Sequence, residues 1–309
     1  MASIPGRSQG RPASRSALQG RVAVVTGAAR GVGEALTRSL SDTGMHVALL
    51  GREWKALRAV ARSLPGRTLC VEADITDRTA LADAARQVEA DLGPVSVAVA
   101  NAGIAVSGSF ENTDAGLWQR VIEVNLIGSA NTARAFLPQL ATTRGYFLQI
   151  ASTAAFGAAP LMSAYCASKA GAESFALALR GELEPSGIQV GIAYLHWTGT
   201  DMLSGMEDDP VLQALRRNQP RLARRVHSPE QVATWLTRGV AHRATRIYAP
   251  PWLRWCEPLR PLFPVLVART ARRELRNPSY DKDPSPGAVL GAGGRADWNS
   301  YRREQDRDS

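Results

Sequence analysis

Tyr165 and Lys169 are four residues apart in this chain, and Ser152 lies thirteen residues before the tyrosine. Residues four apart share one face of a helix, so the ammonium of Lys169 is expected beside the phenol of Tyr165. A phenol has a pKa of about 10, and a nearby cation lowers that pKa because it favours the phenolate. The spacing therefore predicts a tyrosine that exchanges protons near neutral pH, with an ordinary polar helix face as the alternative.

A glycine-rich turn follows the first predicted strand. It contains Gly27, Gly31 and Gly33, with Arg30 and Val32 between them. Such glycines let the backbone approach a pyrophosphate at a helix N-terminus, where unpaired N–H groups and the helix dipole favour anions. The spacing departs from Gly-x-Gly-x-x-Gly, so a purely structural turn is the alternative. Its place between a strand and a helix predicts a dinucleotide site.

The end of the second predicted strand bears on the choice of dinucleotide. An acid there would hold a ribose 2′-hydroxyl, but this chain has Arg52. A guanidinium binds a 2′-phosphate through two hydrogen bonds, and Arg30 would add a second positive charge. We therefore predict NADP as the preferred cofactor. The alternative is NAD, with Arg52 on the surface and Glu53 in the role of the acid.

The composition is typical of a soluble globular protein. The 309 residues are 45% apolar and 21% charged, without an apolar run long enough for a membrane span. Three unclustered cysteines, Cys70, Cys166 and Cys256, favour free thiols and a cytoplasmic location and predict no metal site. The net charge of +9 is interpreted as surface composition, because no nucleic-acid-binding motif accompanies it.

Short apolar runs alternate with amphipathic stretches between residues 21 and 250. This alternation predicts an α/β fold with a parallel sheet between two layers of helices. The strand candidates are Val22–Thr26, Val47–Leu50, Thr68–Glu72, Ser96–Ala100, Tyr146–Ala151, Gln189–Leu195 and Arg246–Tyr248. The helix candidates are Gly33–Thr43, Glu53–Ser63, Arg78–Leu92, Trp118–Leu140 and Ala164–Glu184.

The ends of the chain differ from this domain, which we assign to residues 17–250. Residues 1–16 are rich in Arg and Ser and are predicted to be a disordered tail, with a transit peptide as the alternative. Residues 251–276 form an apolar and basic extension that we expect to dock on the core, on a second subunit or on a lipid surface. Residues 277–309 lack periodicity and are predicted to be a second disordered tail.

Together the motifs resemble the short-chain dehydrogenase/reductase family. The resemblance covers residues 20–203 and rests on the glycine turn, on Asn101-Ala102-Gly103, and on Asn125, Ser152, Tyr165 and Lys169. It implies a single Rossmann-type domain, a doubly wound parallel sheet of about seven strands. It also implies a homodimer or homotetramer and an oxidoreductase that interconverts an alcohol and a ketone or aldehyde with NADP or NAD.

The resemblance also implies roles for the polar residues. Tyr165 is the general acid in reduction and the base in oxidation, and Lys169 lowers its pKa and holds the nicotinamide ribose. Ser152 binds the substrate oxygen. Asn125 orders a water that leads to Lys169; from the residues alone it reads as a buried polar group of a helix.

Further cofactor contacts follow from the same resemblance. Asp74 and its neighbour Ile75 would meet the adenine, with a helix cap or turn as the alternative for Asp74. Asn101, Ala102 and Gly103 would line the cofactor cleft, with a plain turn as the alternative.

One segment departs from the family pattern. The family usually has Pro-Gly after the sixth strand, and this chain has His196-Trp197 there. The register of Thr200, the residue expected to contact the nicotinamide carboxamide, is therefore open. His196 is interpreted as a structural histidine, with packing on the ring as the alternative.

The predicted substrate end is apolar, and this favours an apolar alcohol or ketone, although the same residues could be ordinary core. They are Ala154, Phe156, Leu161, Met162, Trp197, Met202 and Met206. Two other classes of function remain open: a catalytically silent binding protein with this fold, and a regulatory protein at a membrane surface that uses residues 252–275.

Overall fold

The computed structural model describes residues 17–206, 210–276 and 288–308. Seven strands form one parallel sheet in the order β3-β2-β1-β4-β6-β7-β8, which confirms the predicted Rossmann-type α/β fold. These strands are β1 (Val22–Thr26), β2 (His46–Gly51), β3 (Thr68–Glu72), β4 (Val95–Ala100), β6 (Tyr146–Ser152), β7 (Gln189–Leu195) and β8 (Arg246–Ala249). A separate antiparallel pair joins β5 (Ala105–Ser107) to β9 (Ala288–Leu290).

Helices cover both faces of the sheet. The described α-helices are α1 (Gly31–Asp42), α2 (Trp54–Ala61), α3 (Arg78–Leu92), α4 (Ala115–Ile122), α5 (Gly128–Thr143), α6 (Ser163–Leu183), α7 (Asp201–Met206), α8 (Pro210–Arg217), α9 (Pro229–Ala241), α10 (Phe263–Leu275) and α11 (Gly291–Asp308). A π-helical turn, Glu123–Ile127, joins α4 to α5, where the sequence had predicted one helix.

The continuous apolar strands are explained by burial on both faces. In β1, Val24 packs into the core on one side of the sheet and Val25 into the core on the other side, and both are fully buried. Alternate side chains of a strand point to opposite faces, so a strand between two helical layers has no polar face. All seven predicted strands are present, with a difference of one residue at some ends.

The extension after residue 250 docks on the core through apolar contacts of Leu253 and Phe263 and through two ion pairs, Glu257 with Arg246 and Arg260 with the buried Glu173. A 3₁₀-helical segment, Pro251–Leu262, leads into α10. Its Arg260 donates from Nη1 and Nη2 to the two carboxylate oxygens of Glu173 on α6, each at 2.7 Å. The hydroxyl of Tyr194 donates to the same carboxylate at 2.5 Å.

The predicted disordered tail over residues 277–309 is wrong for residues 288–308. These form β9 and α11, which pack on the domain through Val289 and Trp298. The prediction failed because the apolar residues of this segment are few and follow no helical period. The tail predicted at residues 1–16, like residues 277–287, lies outside the described residues.

The ion pair between Arg260 and Glu173 leads to the first testable prediction. Arg260→Met should lower the free energy of unfolding by about 3 kcal/mol, because it leaves the buried carboxylate of Glu173 without its cation. The measurement is urea unfolding followed by circular dichroism. Arg254→Met is the matched control, since Arg254 is exposed and lies over the ring of Trp255. Equal stability of the two variants would contradict this account of how the extension is held.

Candidate active site

The functional residues meet at one edge of the sheet because parallel strands all end on the same side. The ends of β1, β4, β6 and β7 open into a cleft of about 1540 Å³. In open parallel sheets, ligands bind at this carboxyl edge. Nearly all of the predicted site residues line the cleft: Gly27, Arg30, Gly31, Val32, Gly33, Arg52, Asp74, Ile75, Asn101, Ala102, Gly103, Ser152, Tyr165, Lys169 and Thr200.

The glycine turn forms one wall of the cleft and requires its glycines. Gly27 and Gly31 have φ angles of +65° and +54°, in the left-handed region that side chains disfavour. A Cβ on Gly33 would collide with the carbonyl of Gly27 and lie 2.5 Å from Nδ2 of Asn101. The Asn101 amide also donates to the carbonyl of Thr26 at 2.9 Å, which fixes the turn. A tight turn before the N-terminus of α1 fits a dinucleotide pyrophosphate.

Both arginines predicted to bind a 2′-phosphate have acidic partners within the chain. Arg30 forms an ion pair with Glu53. Arg52 pairs with Asp297 of α11 at 2.5 Å and lies 3.4 Å from Asp74. The prediction treated these side chains as open to a phosphate. They line the cleft as expected, but a bound phosphate would have to share or displace their carboxylates.

A buried arginine that the sequence analysis missed organises this end of the cleft. Arg120 on α4 is 4% exposed and binds Asp297 in two places, at 2.9 Å from Nε and at 2.9 Å from Nη2. Its Nη2 also donates to Asp74 at 2.8 Å. Burial alone would lower the pKa of Arg120, but the two carboxylates raise it above its ordinary value. In the sequence this arginine looked like any surface residue of an amphipathic helix.

Asp74 is both a turn residue and a cleft residue. Its Oδ1 accepts hydrogen bonds from the backbone and the hydroxyl of Thr76, each at 2.8 Å, which is the turn alternative. Burial alone would raise the pKa of Asp74, but the bonds from Thr76 and the charge of Arg120 lower it. Contact with an adenine stays a prediction.

The opposite end of the cleft holds the predicted proton-transfer group. Ser152, at the end of β6, and Tyr165 on α6 both line this end of the cleft, where the serine hydroxyl acts to lower the pKa of the phenol. The Nζ of Lys169 lies 5.8 Å from the centroid of the Tyr165 ring and donates to the carbonyl of Ile150 at 3.2 Å. The helical spacing and the strand end thus bring all three side chains to one place.

The expected lowering of the tyrosine pKa by Lys169 is wrong in this structure. Burial raises the pKa of Tyr165 to about 12, and the hydroxyl of Ser152 offsets only part of that effect. Burial also lowers the pKa of Lys169 to about 8. At neutral pH Tyr165 therefore keeps its proton and can donate it, as a general acid must.

Asn125 does not line the cleft. It lies in the π-helical turn, where its Oδ1 accepts from the backbone N–H of Ile104 at 2.8 Å. Its amide donates to the Ile104 carbonyl and to the Ser168 hydroxyl, each at 2.9 Å. This is the buried polar group of the alternative reading, and it ties the cleft loop after β4 to α6. The predicted water next to Lys169 stays a prediction.

Both ring nitrogens of His196 have partners within the chain, as the preferred interpretation of a structural histidine requires, and His196 also lines the cleft. Its Nε2 donates to the carbonyl of Ala223 at 2.8 Å, so Nδ1 accepts from the hydroxyl of Thr153 at 2.9 Å. Burial lowers the pKa of His196 to about 4. Thr200 lies against the glycine turn, because a Cβ on Gly31 would be 3.2 Å from its Cγ2.

Apolar side chains line the cleft beyond Tyr165. Of the residues predicted there, Leu161 packs in the neighbouring core instead of lining the cleft. The side chain of Met206 lies outside the described residues. Residues from the extension that the prediction did not include also contribute: Trp252, Phe263, Leu266 and Val267. Five of the predicted apolar residues do line the cleft: Ala154, Phe156, Met162, Trp197 and Met202.

Comparisons with known proteins agree with this geometry. The family model described as short chain dehydrogenase matches residues 21–210. A metagenomic short-chain oxidoreductase, solved in complex with NADP, is 28% identical with a TM-score of 0.61; the match covers 74% of this chain and 94% of that one.

Two curated relatives are longer than the part that matches. Glycine betaine reductase ATRR of Emericella nidulans is 33% identical over 72% of this chain, but the chain spans only 18% of that protein. Short chain dehydrogenase MYCFIDRAFT_6125 of Pseudocercospora fijiensis is 34% identical over 60% of each chain.

The buried histidine leads to a prediction about acid stability. Because the pKa of His196 falls from 6.5 unfolded to about 4 folded, the unfolded chain binds the extra proton first. Stability is therefore full above about pH 6.5 and is lost as the pH falls towards 4, by about 2 kcal/mol at pH 5. Urea unfolding at pH 7.5 and pH 5 should show this loss reduced in His196→Gln. The exposed His242→Gln control should lose as much as the wild type; an unchanged loss in His196→Gln would refute the assignment.

Proposed function

The chain belongs to the short-chain dehydrogenase/reductase family, and we propose that it interconverts an alcohol and a ketone or aldehyde on a mainly apolar small molecule. The observation that carries the proposal is the pair of Ser152 and Tyr165 at one end of the cleft, with the Lys169 ammonium 5.8 Å from the centroid of the tyrosine ring. This pair lies in the same cleft as the glycine turn and beside apolar walls. A binding protein without turnover would not need a protonated phenol at this place.

Each side chain has a task in the proposed reaction. The Ser152 hydroxyl donates to the substrate oxygen, where negative charge develops during reduction. Tyr165 gives its proton to that oxygen, and in oxidation it takes the proton back. Lys169 binds the cofactor ribose and places a positive charge near the phenol. The bound nicotinamide cofactor supplies or accepts the hydride.

We propose NADP as the preferred cofactor, with NAD as the alternative. Arg30 and Arg52 both line the cleft beside the glycine turn. The residue directly after β2 is Arg52, where an NAD-binding protein would have an acid. A similar protein has been solved with NADP, which supports this choice. The pairing of Arg30 with Glu53 supports the alternative, since Glu53 then lies beside the same wall. A cytoplasmic location and a homodimer or homotetramer remain part of the proposal.

We also propose that residues 252–275 contact a membrane surface of anionic lipid. Their exposed apolar side chains are Trp255, Leu259, Leu262, Val265 and Leu266. Exposed arginines flank them at 254, 269, 272 and 273, which complements anionic head groups. Leu266 also lines the cleft, so this surface is continuous with the substrate end. None of the described helices has the length and apolar character needed to cross a bilayer.

The proton-transfer role is tested by Tyr165→Phe. The variant should lose at least about 100-fold in kcat with apolar ketones, because it removes the proton donor, while its Kd for NADPH stays nearly unchanged. The measurements are NADPH oxidation and fluorescence titration. The control is Tyr248→Phe, which removes a hydroxyl bound to Glu257 outside the cleft. A variant that kept more than about a tenth of the wild-type kcat would show that Tyr165 has another role.

The membrane contact is tested by vesicle flotation with phosphatidylcholine alone and with added phosphatidylserine. The wild type should float only with the anionic vesicles, and Trp255→Ser combined with Val265→Ser should not float. Phe110→Ser is the control, because Phe110 and Trp255 are both 73% exposed. If instead the double variant changes the oligomeric mass and the wild type never floats, a second copy covers this surface and the lipid proposal fails.

A further inference from the structure

The C-terminal helix lies across the mouth of the proposed cofactor cleft. A Cβ on Gly293 would be 3.3 Å from Cδ of Arg30, in the glycine turn on one wall. A Cβ on Gly294 would be 3.8 Å from Cβ of Ile104, which follows Asn101–Gly103 on the other wall. The first turn of α11 therefore bridges the two walls between which a dinucleotide would lie.

The same helix inserts a carboxylate between Arg52 and Arg120. Asp297 has a side chain that is 10% exposed, and its Oδ1 lies 2.5 Å from Nη1 of Arg52. Arg120 holds the same carboxylate through two hydrogen bonds of 2.9 Å. Arg52 is the residue expected to bind a 2′-phosphate. The carboxylate of Asp297 is thus paired with the guanidinium that is expected to distinguish NADP from NAD.

Specific contacts hold the helix in this position. Its Tyr301 ring lies 5.0 Å from the guanidinium of Arg120, and Trp298 packs on the core beside Gly116. Directly before the helix, strand β9 pairs with β5 of the domain over three residues. The first turn, Gly291–Gly294, carries almost no side chains that would anchor it. The segment also packs on α7, where the backbone of Gly291 lies close to that of Met202 and Leu290 is buried, and Asp297 with Arg120 is its charged contact.

We propose that Asp297 determines the affinity for NADP and the discrimination between NADP and NAD, by competing with the 2′-phosphate for Arg52. This inference rests on the proposed function. A phosphate on Arg52 would lie beside the carboxylate of Asp297 and be repelled, so the carboxylate must leave before NADP binds. A ribose 2′-hydroxyl can donate a hydrogen bond to the same carboxylate. The docked helix therefore disfavours NADP, and its release favours it.

The experiment measures the Kd of NADP⁺ and of NAD⁺ by isothermal titration calorimetry on the full chain. Asp297→Asn should tighten NADP⁺ binding at least about tenfold and change NAD⁺ binding less than about threefold, because it removes the repelling charge and keeps the shape. Asp83→Asn removes one negative charge at an exposed ion pair and should change neither constant.

Two results separate the failure of this inference from that of the proposed function. In the first result, Arg52→Ala abolishes the preference for NADP⁺, but Asp297→Asn leaves the ratio of the two Kd values unchanged or weakens the binding of both cofactors equally. Asp297 is then structural, and this inference alone is overturned. If Arg52→Ala leaves the ratio unchanged, the NADP assignment fails and this inference fails with it. The Kd values of adenosine 2′,5′-bisphosphate and of AMP give the same comparison without the nicotinamide. They apply if Asp297→Asn also alters the catalytic end of the cleft.

Discussion

At the first crossing of strand and helix, the backbone of Gly33 packs directly against the carbonyl of Gly27 and the side-chain amide of Asn101. No side chain fits between them, so β1, α1 and the end of β4 are held at one fixed separation. That separation sets the width of the cleft at its proposed pyrophosphate end. Ser152 and Arg52 have fixed positions relative to this point, because Ser152 ends β6 and Arg52 follows β2 in the same sheet.

Two charge clusters with buried members connect the two C-terminal segments to this frame. Glu173 lies four residues after Lys169 on α6 and binds Arg260, so the extension is tied to the helix that carries the proton-transfer residues. Arg120 binds Asp74 and Asp297, so α11 is tied to the proposed adenosine end. A buried charge that loses its partner lowers the stability of the fold, so each segment is held in one specific position. The segments outside the seven-stranded sheet therefore form part of the site.

The sequence predicted what depends on short-range pattern. The seven strands follow from continuous apolar runs, and the joint position of Ser152, Tyr165 and Lys169 follows from helical spacing and a strand end. Arg120 and Asp297 could not be found this way, because they pair over 177 residues and neither lies in a motif. The tyrosine pKa was predicted in the wrong direction, since burial is a property of the packed fold and outweighs the nearby cation. The π-helical turn at Asn125 left no signal in the apolar periodicity.

Hydride transfer to a carbonyl carbon is the central claim, and isotope transfer tests it most directly. The protein is incubated with cyclohexanone, 2-heptanone or acetophenone and with NADPH deuterated at C4 on either face, and the alcohol is examined by mass spectrometry. The account predicts an alcohol with one deuterium on the former carbonyl carbon, from one of the two deuterated forms. Bound cofactor without labelled alcohol from any ketone, with either form, would contradict it.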